Sequence, residues 1–388
     1  MAARGRGKHK GAGITRQIHW RDADHPRAQR ALLAKKLRQK AEEAASIPRL
    51  PREPGKAFAL SFGQRRIWFL DRLTPGSPTY NEAFAFRIEG DLDPALFERA
   101  INAIVARQEA LRTRFVVEAG EPVQLVQPAL IIACPLVDFT AHPAEERAAR
   151  AMERAVAGAR APFDLTTGPL LRVELLRLAP ATHLFALTIH HIATDGWTFG
   201  VFLRELSAHY AALQAGKPPA LPELETQYAD FAAWQNAWME GEVVSNQLAY
   251  WKDKLGGELP VLQLPTDRPR PAAYTYRGAR ERLPLAPALV QAIRALGERN
   301  EVTLFITLLA AYQTLLYRYT GQTDVIVGSP TAGRNRVEIE ELAGVFVNNL
   351  VLRSDLSGNP SFRALLGRVR EVAFSAFAHQ DVPFERLL

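Results

Sequence analysis

The chain has 388 residues, 47% hydrophobic and 23% charged, an ordinary globular composition that excludes a disordered or low-complexity protein. Its net charge of +7 is uneven: residues 1–50 hold 13 Lys and Arg against 4 Asp and Glu, a net of +9, so the other 338 residues carry −2. The folded body is therefore near neutral, and the basic segment has Trp20 as its single aromatic and no recognition motif, which argues against a nucleic-acid partner.

Residues 1–25 are rich in Gly, Lys and Arg, and 27–45 predict a basic helix whose apolar stripe is only Leu32, Leu33 and Leu37. No apolar signal-peptide core precedes it. Residues 47–55, with three prolines, read as an extended, solvated linker, with a docking element as the alternative, so 1–56 form an N-terminal segment. A strand follows at 83–89, then a helix at 93–108 with Asp93 as cap and Pro94 at its first position, and a strand at 112–117. Cys134, the single cysteine, lies in an apolar run. It predicts a buried structural thiol, excludes an intramolecular disulfide or thiolate zinc site, and fits a reducing, cytoplasmic compartment.

A helix at 144–160, a hairpin of 170–178 with 184–191 and a helix after Gly196 complete the first half. The Pro-containing connection at 218–227 then marks a boundary, giving lobes 57–225 and 226–388. The second half predicts helices at 287–300, 303–319 and 362–377 and strands at 324–328 and 345–353. The longest apolar stretch, 302–316, is shorter than the ~20 residues that span a bilayer and includes Thr303, Thr307, Gln313 and Thr314, so it reads as a buried helix. Mixed elements with a mid-chain break predict two α/β sandwich lobes.

The chemistry concentrates in Ile189-His190-His191-Ile192-Ala193-Thr194-Asp195-Gly196-Trp197. An apolar strand ends there on two histidines, and alternation puts only one of them on a given face. His191 shares parity with Phe185, Leu187 and Ile189, where desolvation keeps an imidazole neutral and able to accept a proton. Gly196 gives the backbone freedom to turn. The alternative is that Asp195 only caps the next helix and the histidines are core residues. Residues 328–330 lack the flanks of a nucleophile elbow, no Gly-rich loop cradles phosphate, and His142, His183 and His209 lack metal spacing. Direct transfer between two bound reactants remains, which requires positioning and a proton acceptor.

The stretch resembles the His-His-x-x-x-Asp-Gly motif of acyltransferases related to chloramphenicol acetyltransferase, in particular the condensation domains of nonribosomal peptide synthetases. The resemblance runs from about 57 to 388. Ser61-Phe62-Gly63-Gln64-Arg65-Arg66-Ile67-Trp68 is similar to the family's opening Ser-x-Ala-Gln-x-Arg-x-Trp, with Gly63 for alanine, and Arg107-Gln108-Glu109-Ala110-Leu111-Arg112-Thr113 to its Arg-His-Glu-x-Leu-Arg-Thr, with Gln108 for histidine. Residues 228–234, 344–353 and 379–385 are similar to the fourth, fifth and sixth motifs. The chain ends before a seventh, which implies a C-terminally truncated domain.

The resemblance implies a V-shaped pseudo-dimer of two chloramphenicol-acetyltransferase-like lobes with a tunnel between them. It makes His191 the active-site histidine beside His190, Asp195 a structural partner of Arg112, and Gly196 part of the same turn. Arg107 and Trp197 support the site, and Ser61, Gln64, Trp234 and Asn348 belong to the tunnel. The implied reaction joins a carrier-bound aminoacyl or peptidyl thioester to the α-amine of a carrier-bound amino acid, both L-configured, with His191 either taking the proton or positioning the amine. Substrates ride on phosphopantetheine of donor and acceptor peptidyl carrier domains loaded by an adenylation domain. No cofactor, metal, membrane or nucleic acid is implied, and the domain is a monomeric part of its module. The alternatives are an ester-forming relative and a catalytically silent docking platform.

Overall fold

The computed structural model describes residues 46–269 and 278–387. The basic helix expected at 27–45 lies outside these residues, as do Arg270, Pro271 and Leu388.

In the first half, β1 (Ala57–Ala59) leads into α1 (Phe62–Leu73), which Ser61 caps by accepting from the Gln64 N–H while Gln64 accepts from the Ser61 N–H. Next come β2 (Asn81–Glu89) and α2 (Pro94–Arg107), the latter starting where Asp93 accepts from the Ala95 and Leu96 amides. Then follow β3 (Thr113–Glu118), β4 (Glu121–Val126), β5 (Leu136–Asp138), α3 (Ala144–Arg160), β6 (Leu171–Ala179), β7 (Thr182–His190) and α4 (Gly196–Ala215). The second half holds α5 (Tyr228–Trp238), α6 (Glu242–Lys254), α7 (Pro287–Arg299), α8 (Leu304–Thr320), β8 (Asp324–Thr331), β9 (Asn348–Asp355) and α9 (Phe362–Ala378).

Among the described residues three sheets form: β1-β4-β3, β2-β7-β6-β5 and β8-β9. In the four-stranded sheet β7 is central and antiparallel to both neighbours, with Asn81 opposite His190 and Glu82 opposite Ile189. Its two faces divide as the side-chain period requires. Phe185, Leu187 and Ile189 enter the main core with α2 and α4, while Leu184 and Ala186 pack on a smaller cluster with Ala151 of α3. A separate core gathers α8, α9, β8 and β9 around Ile306, Val325, Leu352 and Val369. Residues 339–346, late in the chain, join the first core through Ile339, Leu342, Val345 and Phe346.

Two expectations are corrected. The segment at 47–55 is not a solvated linker. Ile47 is buried in the first core, the Leu50 N–H donates to Asp230, and Arg52 pairs with both Asp230 and Glu109. Nor is α8 buried all round. Ile306, Leu309, Ala310, Gln313 and Leu316 are inside, whereas Phe305, Leu308, Tyr312, Leu315 and Tyr319 form an exposed stripe at helical spacing. Among the described residues no helix is long and apolar enough to cross a membrane. Cys134 is buried, and burial pushes its thiol up to about 12.

Candidate active site at the end of the central strand

Strand β7 stops at His190, and His191–Ala193 form a single 3-10 turn before Asp195 starts α4. His191 therefore sits beyond the strand, so parity with Ile189 does not place it. What places it is a pair of hydrogen bonds and a nearby carboxyl. Its N–H donates to the Tyr80 carbonyl at 2.7 Å, its Nδ1 lies 2.7 Å from the Thr194 carbonyl, and Glu82 Oε1 stands 3.1 Å from that nitrogen at ion-pair distance. A carbonyl only accepts, so Nδ1 carries the proton of the neutral ring and Nε2 keeps its lone pair. Burial lowers the imidazole's pKa below its ordinary value, keeping it neutral and able to accept.

His190 points the other way and is closed in. Its Nδ1 accepts from the Ile192 N–H, its Nε2 is 3.8 Å from Asp71, and its ring meets Phe163 edge-on. This is a core histidine shaping the turn.

Asp195 spends its carboxylate on structure. Oδ1 accepts from the Thr198 N–H and hydroxyl, both at 2.9 Å, and Oδ2 accepts from the Phe346 N–H at 3.0 Å. Its ion-pair partner is Arg334, at 3.1 Å, not Arg112. Arg112 donates to the Gln127 carbonyl and lies 3.7 Å from Glu109, which corrects the family-based pairing. Arg334 is fully buried, stacked 4.1 Å from the Phe346 ring, and donates to the Ile339 and Leu342 carbonyls. Residues 334–346 thus strap the second half of the chain onto the histidine turn. The strap has little slack: Gly344 has φ +149°, and a Cβ there would stand 1.9 Å from the Tyr228 ring.

The other expected residues are dispersed around this centre. Arg107 bonds Glu205 at 2.9 Å, and Gln108, standing where the family has histidine, bridges Glu205 to the backbone of Glu341 and Ala343. Trp197 is half-exposed and donates to the Glu340 carbonyl. Ser61 and Gln64 do not line the cleft between the halves. Their buried capping box instead links through Tyr228, 2.8 Å from Ser61, to the Val345 carbonyl. Trp234 and Asn348 do line that cleft, with Phe62, Trp238 and Asp381, and Phe346 is the wall it shares with the Asp195 anchor. His191 is not among the lining residues. Gly196 takes no left-handed conformation and has open space where a side chain would stand, so the turn itself does not demand glycine.

Sequence reasoning missed Arg334 and Glu82. The signal for the first is the Gly333-Arg334 step after β8, where a Cβ on Gly333 would meet the Phe346 carbonyl at 1.9 Å. For the second it is a carboxylate at the start of a strand, one residue from Asn81 and opposite the apolar end of the strand that carries the histidines. Burial, then the charge of Asp195, raise Glu82 to about 7. Among the described residues no cluster of His, Cys, Asp or Glu is arranged to hold a metal.

Two α/β lobes, joined by a strap that pins a histidine turn at the mouth of a central strand, define the chloramphenicol-acetyltransferase-like class. Residues 56–388 match the model of the condensation domain, and the chain belongs to that family. Two of its relatives are linear gramicidin synthase subunits of Brevibacillus parabrevis, one 50% identical over 343 residues and the other 52% identical over 329. These alignments cover 88% and 85% of the chain but only 4% and 6% of those proteins. Among solved structures, the X-domain from teicoplanin biosynthesis superposes with a TM-score of 0.78 at 30% identity, covering 88% of this chain and 75% of that one. The SgcC5 protein from Streptomyces globisporus gives 0.70 at 32%, covering 85% and 75%.

Proposed function

We propose that this domain forms a peptide bond between an aminoacyl or peptidyl thioester and the α-amine of a second aminoacyl group, each carried on the phosphopantetheine arm of a peptidyl carrier domain. The observation that carries the reading is the tautomer of His191: Thr194 holds Nδ1–H, so Nε2 presents a lone pair. The amine nitrogen attacks the thioester carbon, the C–N bond forms and the C–S bond breaks. The proton that leaves nitrogen passes to Nε2 and on to the departing sulfur. Asp195 and Arg334 act by holding the turn in place. Relatives that are subunits of linear gramicidin synthase support a module with carrier and adenylation domains as partners.

The test offers the domain a loaded donor and a loaded acceptor carrier protein and seeks dipeptidyl-carrier by mass spectrometry. Product that disappears with His191→Ala supports the reading. No product from competent partners refutes it and leaves a docking platform, a role in keeping with the complex of the teicoplanin X-domain with OxyB.

A further inference from the structure

Two oxygens lie near one nitrogen of His191, and one of them, the Thr194 carbonyl, accepts its hydrogen bond. The Thr194 carbonyl, at 2.7 Å, suffices to hold the tautomer, so the Glu82 carboxyl at 3.1 Å is not needed for that purpose. It differs from the carbonyl in being able to change its charge. Glu82 is placed by the β2–β7 register opposite Ile189, one residue from Asn81, whose amide is tied to the Ala159 and Ala161 carbonyls at the end of α3.

The charged groups around this corner are mostly engaged. Asp195, at the start of α4, is bound to Arg334; Arg66 of α1 is 2.6 Å from Glu385; Arg172 donates to the Gly158 and Ala161 carbonyls. Asp71 of α1 faces His190 at 3.8 Å. The Glu82 carboxyl is raised to about 7 by burial and then by Asp195. It therefore changes charge in the range where a condensing amine must be neutral, since an α-amino group titrates at ~7.7–8.0.

We propose that Glu82 is a positioning residue acting through His191: its carboxyl stands beside Nδ1, whose proton Thr194 holds, and, when ionised, stabilises the imidazolium formed as Nε2 takes the proton of the attacking amine. The mechanistic half rests on the proposed condensation; the pairing does not. Nδ1 keeps its proton throughout, Glu82 gains none, and the proton on Nε2 leaves with the thiol.

The test follows the His191 ring by NMR in the full chain with labelled histidine, from pH 5 to 9, in wild type, Glu82→Gln and Glu82→Asp, with folding checked by circular dichroism. Wild type is expected to show two coupled steps, one near pH 7. Glu82→Gln should lose the step near pH 7 and keep the lower one, because the carboxyl is already neutral where the ring itself takes up its proton. Glu82→Asp, with the charge kept but withdrawn, should fall between them. Identical His191 titrations in wild type and either variant would overturn the pairing. The same proteins are then assayed for condensation. The ratio of wild-type to Glu82→Gln turnover should rise through pH 7 to about tenfold, and the amine's own titration cancels from it. A ratio flat in pH despite a shifted ring would overturn the role of His191 as proton acceptor while leaving the pairing intact.

Discussion

Two buried aspartates are held by arginines from remote parts of the chain, and the way each is held differs. Asp230 accepts a two-toothed grip from Arg52, an arginine still partly in water, and also the Gln227 and Leu50 amides. Asp195 receives Nη2 of Arg334, whose side chain is wholly buried and whose Nη1 donates to the Ile339 and Leu342 carbonyls. The first pair fastens a terminal segment to the surface of a finished lobe. The second closes the join between the halves, at the turn that carries His191. A buried charge left without its partner is far more costly than one that can reach solvent, so equal chemistry predicts unequal consequences.

The sharpest break falls on the turn itself. His191→Ala should lower condensation by ~10²–10⁴-fold without a comparable loss of stability, whereas His190→Ala should act through the fold because its ring is enclosed by Phe163 and Tyr80. Equal losses of turnover with unchanged melting in both would erase the distinction between them.

Next in size are Asp195→Ala and Arg334→Ala, each expected to cost about 3–5 kcal/mol by chemical denaturation, with the double variant little worse than either alone. Asp195→Ala with Arg112→Ala should instead be additive, since Arg112 is engaged with Gln127 and Glu109. A coupling energy in that second cycle and none in the first would restore the family-based pairing. At the other aspartate, Arg52→Ala should cost about 1.5–3 kcal/mol, the value of hydrogen bonds to charged groups, because the hole left by a side chain 23% exposed admits water to the buried Asp230 carboxylate. A loss as large as that of Arg334→Ala would remove the contrast.

The smallest effect belongs to Glu82→Gln. Because burial raises the Glu82 carboxyl to about 7, the native state holds its proton more tightly than the unfolded chain does. Its contribution to stability is complete below the unfolded value near 4.5 and is lost as pH rises through about 7. The glutamine variant should therefore gain about 1–2 kcal/mol over wild type above pH 7, after allowance for a side chain 29% exposed, and the gap should close toward pH 4.5. A gap that widened on acidification would mean that the carboxyl is stabilised ionised.

Local physics was legible where cause and effect are near in sequence. Asp93 and Pro94 announce α2, and Asp195 announces α4, because a cap acts within one turn. The strands β1 and β5, three residues each, leave no periodicity to read. The histidine pair was legible as a candidate site, yet parity assigned His191 through a strand that ends one residue earlier. Arg334 was illegible because its partner is 139 residues away, and several arginines of equal promise lie nearer. The docking of residues 47–52 was hidden for the same reason: Pro-rich composition describes a segment's own preferences, while Asp230 and Glu109, which hold it, lie far along the chain.

The strap also sets a schedule for synthesis. The Phe346 amide that donates to Asp195 is 151 residues downstream, so at ~5–20 residues per second the histidine turn waits roughly 8–30 s on the ribosome for the part that closes it. During that interval β2, β7 and β6 can already pair, because their contacts are complete by residue 190. Asp195 and Thr198 meanwhile lack the residues 334–346 that finally bury them. A nascent chain stalled before residue 334 should therefore expose Asp195 to solvent and leave its helix cap unsupported, and release of the stall should protect both at once.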